Sequence, residues 1–297
     1  MILCGDALEQ LKTLPDASVH CCVTSPPYYG LRDYGVAGQI GLEETPEAYV
    51  AKLVDVFREV RRVLRDDGTL WVNLGDSYSN TGGSKMAWKT DTEQKKKRVN
   101  CASVPKRQKT LQAKQLLGIP WRVAFALQAD GWILRQDIIW HKPNPMPESV
   151  KDRCTKAHEY LFLLAKKPRY WFDSEAIKEE AVTPANPRYM GSKDQVGTLR
   201  RDVGREPLGY TNRNRRSVWS ICPRPYKGAH FAVFPPALVE PCIKAGCPAG
   251  GTVLDPFGGS GTTGQVAKSL GRNAILIELN PAYHDLIRSR LQLLEAC

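Results

Sequence analysis

The segment V-L-D-P-F-G-G-S-G-T-T, Val253 to Thr263, limits the possible folds of this chain more than any other stretch. A short apolar run predicts a strand over Thr252–Leu254, an acidic residue ends it, a glycine-rich turn follows, and Thr262–Leu270 takes up helical spacing. Strand, tight turn and helix in that order open a parallel α/β unit. The glycines let a ligand approach the backbone closely at the strand's C-terminal edge, where open α/β sheets bind their ligands. No G-K-[ST] follows, so the turn is not a Walker loop. The next strand, Ala274–Leu279, carries Glu278 at its tip, the place for an acidic residue that accepts hydrogen bonds from ribose hydroxyls.

A second corner is equally specific. Val19–Thr24 (V-H-C-C-V-T) has the composition of a strand buried on both faces, and it runs into S-P-P-Y-Y-G. Two consecutive prolines cannot extend a central strand and donate no backbone hydrogen bond, so the strand ends in a stiff, aromatic-tipped corner. Elsewhere, apolar residues at helical spacing predict helices over Pro46–Leu64, Ile119–Ala129 and Pro281–Leu294. Strands are predicted over Thr69–Leu74, Trp132–Trp140 and Tyr160–Ala165, with a closing turn at Asp66-Asp67-Gly68. This alternation predicts an α/β fold with a mostly parallel sheet and helices on both faces.

Charge is distributed unevenly over the 297 residues, whose formal net charge is +11. Residues 80–115 carry ten basic and two acidic side chains, about +8, with Lys95, Lys96, Lys97 and Arg98 as their densest run. Residues 186–227 carry ten basic and three acidic, about +7, among them Arg205, Arg213, Arg215 and Arg216. Two basic inserts on a mildly acidic body suggest a polyanion held by loops, and interleaved aromatic and amide residues (Trp88, Asn100, Tyr189, Tyr210, Asn212, Asn214) suit contacts to bases. The nine scattered cysteines form no C-x-x-C pair, so the pattern predicts reduced thiols, no structural metal and a cytoplasmic location. No stretch approaches the roughly 20 apolar residues that span a bilayer.

Taken together, T-S-P-P-Y and D-P-F-G-G-S-G-T-T resemble the S-adenosylmethionine-dependent DNA amino-methyltransferases, with the catalytic motif ahead of the cofactor motif as in the permuted β class. The resemblance continues through G-D-A-L (Gly5–Leu8), L-R-D-D-G-T-L-W-V-N (Leu64–Asn73), W-H-K-P-N-P-M-P-E-S (Trp140–Ser149), H-E-Y-L-F-L-L (His158–Leu164), F-A-V-F-P (Phe231–Pro235) and G-R-N-A-I-L-I-E-L (Gly271–Leu279). It covers most of the chain outside the two basic inserts. It implies a Rossmann-like methyltransferase sheet with a catalytic half, 1–165, and an S-adenosylmethionine-binding half, 229–297; the basic, aperiodic segment inserted between them, 166–228, is expected to recognise the target. Within the first half, 77–115 is expected to be a mobile basic loop that clamps DNA.

The resemblance also implies site residues. Asp255, Phe257 and Gly258, with Gly259 and Ser260 nearby, would shape the methionine side of the cofactor pocket. Glu278 would hold the ribose, Asp6 would face the adenine amino group, and Phe234 and Pro235 would line the other side. An exocyclic amino nitrogen is a poor nucleophile because its lone pair delocalises into the ring. Ser25 Oγ and the Pro26 carbonyl are the candidate acceptors that would hold such an NH₂ in line for transfer, with Pro26 and Pro27 stiffening the corner. Tyr28 would stack on a base flipped out of the duplex, and Tyr29 is either a wedge or a packing residue. Cys242 is expected to pack, and His141 and His158 to be structural or phosphate-facing.

For the target base, Ser25 leans toward cytosine N4. T-S-P-P-Y-Y-G-L-R-D-Y-G instead resembles prophage-type solitary enzymes, many of which look like adenine enzymes. The balance favours adenine N6 narrowly, with cytosine N4 as the alternative. The expected partner is double-stranded DNA in the nucleoid of a bacterium or phage host. A homodimer is possible, no nuclease is fused, and any restriction partner is a separate protein. The rival classes are an RNA or protein methyltransferase on the same fold and a non-catalytic DNA-binding relative. The clamp reading predicts DNA binding that weakens steeply with salt, measured by anisotropy on a duplex; binding that barely changes from low to moderate salt removes it.

Overall fold

In a computed structural model of the chain, the described residues are 1–79, 111–181, 211–223 and 234–292. The run Val19–Thr24 is strand β2, near the middle of an eight-stranded sheet. In chain order the first elements are β1 (Ile2–Cys4), α1 (Ala7–Lys12), β2, α2 (Pro46–Val63), β3 (Leu64–Leu74), α3 (Ile119–Ala129), β4 (Ile133–His141) and β5 (His158–Ala165). After them come β6 (Glu179–Glu180), β7 (Asn212–Arg213), β8 (Val218–Ser220), α4 (Pro236–Gly246), β9 (Thr252–Asp255), α5 (Thr262–Ser269), β10 (Asn273–Glu278) and α6 (Pro281–Gln292). The sheet runs β1-β10-β9-β2-β3-β5-β4-β8, and only β5 runs against its neighbours. The fold is thus the expected mostly parallel α/β sheet.

Side-chain alternation along the central strands decides which helix lies on which face. Cys22, Leu70 and Val72 join the core built with α1, α2 and α3, to which α2 contributes the stripe Tyr49, Leu53, Val56, Phe57, Val60 and Val63. Cys21, Thr69 and Trp71 point the other way, onto Gly246 at the end of α4. Helices therefore cover both faces, and every residue of these two strand sets is buried. Burial raises the thiol pKa of Cys21 and Cys22 well above the ordinary value, and pushes Cys247 up to about 11.

Three local features differ from the sequence expectations. Helix α1 shows no signal in sequence, because six residues are too few to establish a helical period; Asp6 caps it by accepting from Glu9 N at 3.1 Å. The Asp66-Asp67-Gly68 turn is absorbed into β3 as an irregularity, where the register jumps from Val19↔Leu64 to Cys21↔Thr69. Strand β8 adds a parallel edge beside β4 (Trp140↔Trp219) from within the stretch expected to be aperiodic.

By contacts the chain divides into two units, 1–172 with 217–297, and Asp173–Arg216. The smaller unit contains a single 3-10 turn, Glu175–Ile177, and the antiparallel pair β6 and β7 among its described residues. Among the described residues no helix is long and apolar enough to cross a membrane, and no three His, Cys, Asp or Glu are grouped to hold a metal.

One of the tightest approaches between a helix and the sheet is at Gly246, where a Cβ would lie 2.5 Å from Thr69 Oγ1 and 2.7 Å from Trp71 Nε1. Gly246→Ala is expected to destabilise the protein by about 1–3 kcal/mol, through overpacking, in urea denaturation.

Candidate functional site

Strands β2 and β9 are parallel neighbours, so the S-P-P-Y corner and the D-P-F-G-G turn leave the sheet side by side at the same edge. Asp255 joins them. Its carboxylate accepts from Thr24 Oγ1 and Thr263 Oγ1, both at 2.6 Å, and from Phe257 N at 3.1 Å. Desolvation raises its pKa, and these three hydrogen bonds oppose the shift. The residue is 1% exposed and sits behind the cavity wall, so its geometry is that of a brace between the two motif strands.

A cavity of about 990 Å³ opens at this edge. The lining includes Asp6, the turn residues Phe257, Gly258, Gly259 and Ser260, and Glu278 on one side, and Phe234 also belongs to it. Pro235 is the residue before α4 and is not part of the lining. Gly258 N donates to Ile277 O at 2.7 Å, and a Cβ there would come within 3.3 Å of the Leu276 side chain, so the turn lies flat on β10 because it has none. Glu278 takes one backbone N–H on each oxygen, Gly259 N at 2.7 Å and Asn280 N at 2.8 Å. Each oxygen keeps lone-pair capacity toward the cavity. Burial raises the Glu278 pKa, opposed by the same two bonds. Asp6 uses one carboxylate oxygen to cap α1 while it lines the wall.

The other side carries Ser25, Pro26, Pro27 and Tyr28. The Pro27 carbonyl accepts from Tyr49 Oη at 2.8 Å, which ties the corner to α2. Tyr28 Oη donates to Glu159 Oε2 at 2.6 Å and lies 3.0 Å from Asn73 Oδ1, while its ring rests on Gly75, where a Cβ would be 2.5 Å from Cε2. Desolvation, then Glu159, push the phenol pKa far up, so Tyr28 stays protonated. Glu159 also pairs with Lys142, whose ammonium stands 4.3 Å from the centre of the Trp140 ring. Asn73, Lys142 and Glu159 carry no signal of their own in the sequence. Each sits inside a quoted motif, but only the pairing of β3 with β5 and of β5 with β4 brings them to Tyr28.

Other expectations sort clearly. Tyr29 is 3% exposed with its ring 5.4 Å from that of Tyr49, so it packs and is no wedge. Cys242 is fully buried in α4 with its thiol on Leu238 O. His141 meets Ser220 Oγ at 3.0 Å; His158 lines the cavity edge-on to Tyr160, its pKa lowered by burial. In the smaller unit Arg213 pairs with Glu179 at 2.9 Å, and Arg215 and Arg216 follow it in the chain. Lys95, Lys96, Lys97, Arg98 and Arg205 lie outside the described residues, as does most of the expected clamp loop.

Residues 19–289 match the family described as DNA methylase, the N6 and N4 methyltransferases. The Type II methyltransferase M.SmaI of Serratia marcescens is 49% identical over 98% of this chain and 90% of its own length, and M.Cfr9I of Citrobacter freundii is 49% identical over 97% and 86%. The fold matches the structure of PvuII DNA methyltransferase (cytosine-N4-specific) with a TM-score of 0.66, at 20% identity over 98% of this chain and 85% of that one. A DNA modification methylase of Thermus thermophilus, solved with S-adenosyl-L-methionine, matches with a TM-score of 0.61, at 25% identity over 99% and 95%. The order of motifs, the shared strand edge and these likenesses agree: the chain belongs to the S-adenosylmethionine-dependent DNA amino-methyltransferases of the N6 and N4 family.

Proposed function

We propose that this chain is a Type II modification methyltransferase that methylates the exocyclic N4 of a cytosine flipped out of duplex DNA. The observation that carries the base assignment is Ser25 at the head of the S-P-P-Y corner, a hydroxyl on the cavity wall where an acidic or amide residue commonly accompanies adenine. The similar proteins named above are Type II methyltransferases, so the likeness to prophage-type solitary enzymes, and with it the lean to adenine, loses its weight. At 20% identity the cytosine-N4-specific structure speaks to the fold, and it agrees with this reading.

The residues present suit the cofactor. Glu278 offers acceptor capacity for ribose hydroxyls, Asp6 for an amino group, and Phe257 and Phe234 offer aromatic walls, with Gly258, Gly259 and Ser260 allowing close approach and Pro235 setting the entry of α4. S-adenosylmethionine, when bound, supplies the methyl group as a sulfonium electrophile. The protein's part is positioning. Ser25 Oγ and the Pro26 carbonyl accept the two N–H bonds of the target amino group and aim its lone pair across the cavity. Tyr28, held by its hydroxyl and by Gly75, offers a fixed stacking face, so little ordering remains to be done at the moment of transfer. Asp255 keeps both motif strands in register behind the site. The basic stretches around Lys95–Arg98 and Arg205–Arg216 supply backbone contacts and target reading on duplex DNA.

Unmethylated plasmid incubated with the protein and S-adenosylmethionine, then digested to nucleosides for mass spectrometry, is expected to yield N4-methylcytosine. N6-methyladenine would overturn the base assignment, and no methylated nucleoside with cofactor bound would overturn the DNA reading. Glu278→Gln removes the charge of a carboxylate that would bond the ribose. Cofactor affinity by calorimetry should fall roughly ten- to a hundredfold, the value of a hydrogen bond to a charged group, with the fold retained.

A further inference from the structure

We infer that Glu159 sets the hydrogen-bond polarity of the Ser25 hydroxyl, and through it the preference of the site for a base presenting an amino group over one presenting a carbonyl. The inference rests on the proposed base-methylating role of this cavity and assigns Glu159 as a positioning residue within it.

The polarity follows from counting protons. A carboxylate accepts only and an ammonium donates only, so the Glu159–Lys142 pair has one possible sense. Both side chains are largely withdrawn from solvent, at 14% and 19% exposure. Tyr28 has a single hydroxyl proton, and the 2.6 Å bond to Glu159 Oε2 commits it there, as a charge-assisted bond outcompetes a neutral one. The Asn73 amide is oriented from behind, because Nδ2 donates to Tyr160 O at 3.1 Å and leaves Oδ1 toward the corner. Ser25 Oγ therefore faces a phenolic lone pair at 3.4 Å and an amide oxygen at 3.5 Å. Both contacts are long, and both are with acceptors. The serine proton is drawn toward them, and the lone pairs of Oγ are left facing the cavity. A cytosine N–H finds an acceptor there, whereas a carbonyl O4 in the same position meets a second acceptor. The S-P-P corner alone does not decide this, since a free serine hydroxyl turns to serve either partner.

Glu159→Gln keeps the shape and reverses the sense. Lys142 claims the amide oxygen, the amide NH₂ turns to Tyr28, Tyr28 donates to Asn73, and the Ser25 proton is released toward the cavity. The test is binding without turnover, with the full chain and duplexes carrying cytosine or uracil at the mapped target position. The mismatch created by uracil favours flipping equally for every variant, so the ratio of the two affinities compared between proteins isolates the pocket. For wild type the comparison should favour cytosine. In Glu159→Gln the cytosine-to-uracil ratio should fall tenfold or more while cofactor affinity stays within twofold. Tyr28→Phe keeps the ring and leaves Asn73 Oδ1 open to the serine proton, so alone it should lower the ratio less than threefold, and in the double variant it should restore the ratio, because no phenol carries the reversal to Asn73. A ratio within twofold of wild type in folded Glu159→Gln, or a tenfold fall that persists in the double variant, would overturn the inference. If mapping shows adenine as the target, hypoxanthine replaces uracil and the same outcomes apply. Absence of any methylated base with wild-type protein sinks the functional reading instead, so the two failures are distinguishable.

Discussion

Everything at the working edge depends on one buried carboxylate. Asp255 is held by two threonine hydroxyls and a backbone N–H, and those donors come from β2, from the glycine turn and from α5. A charge taken out of water is costly unless it is fully hydrogen-bonded, and here the bonds it demands are the ones that fix the two motif strands relative to each other. The distance between the aromatic corner and the glycine turn is therefore set from behind, by a group outside the cavity lining. Glycines complete the arrangement from the front: Gly258 lies flat on β10, and Gly75 gives the Tyr28 ring its place.

Most of the fold was legible because its signals are local. Val19–Thr24 is apolar nearly throughout because both faces of β2 are covered, and the α2 stripe repeats at helical spacing because one face packs on the sheet. What escaped was non-local or too short. Strand β8 is three residues in a basic stretch and is a strand only because β4 offers it an edge. Helix α1 has six residues and depends on its Asp6 cap.

The site divides along the same line. The S-P-P-Y corner and Glu278 stand out in sequence because prolines, glycines and an acid at a strand tip have few other uses. Asp255 stood out for the same reason, but it lies behind the cavity lining and not in it, since a strand-ending acid can point forward or back and only the threonines Thr24 and Thr263 reveal which. Asn73 and Glu159 were silent because they converge on the Tyr28 hydroxyl only through the reversed strand β5, whose first residues arrive at the edge where β2 and β3 end. Reading them from sequence would require knowing the strand direction first.

The two adjacent cysteines of β2 give this architecture a built-in reporter. Cys21 faces α4 and Cys22 faces the opposite core, both fully buried, with burial holding their thiols protonated. Alkylation requires an accessible thiolate, so neither can react while its face of the sheet stays closed. Their labelling rates thus time the separate opening of the two helical layers, one clock on each side of the strand that ends in the S-P-P-Y corner.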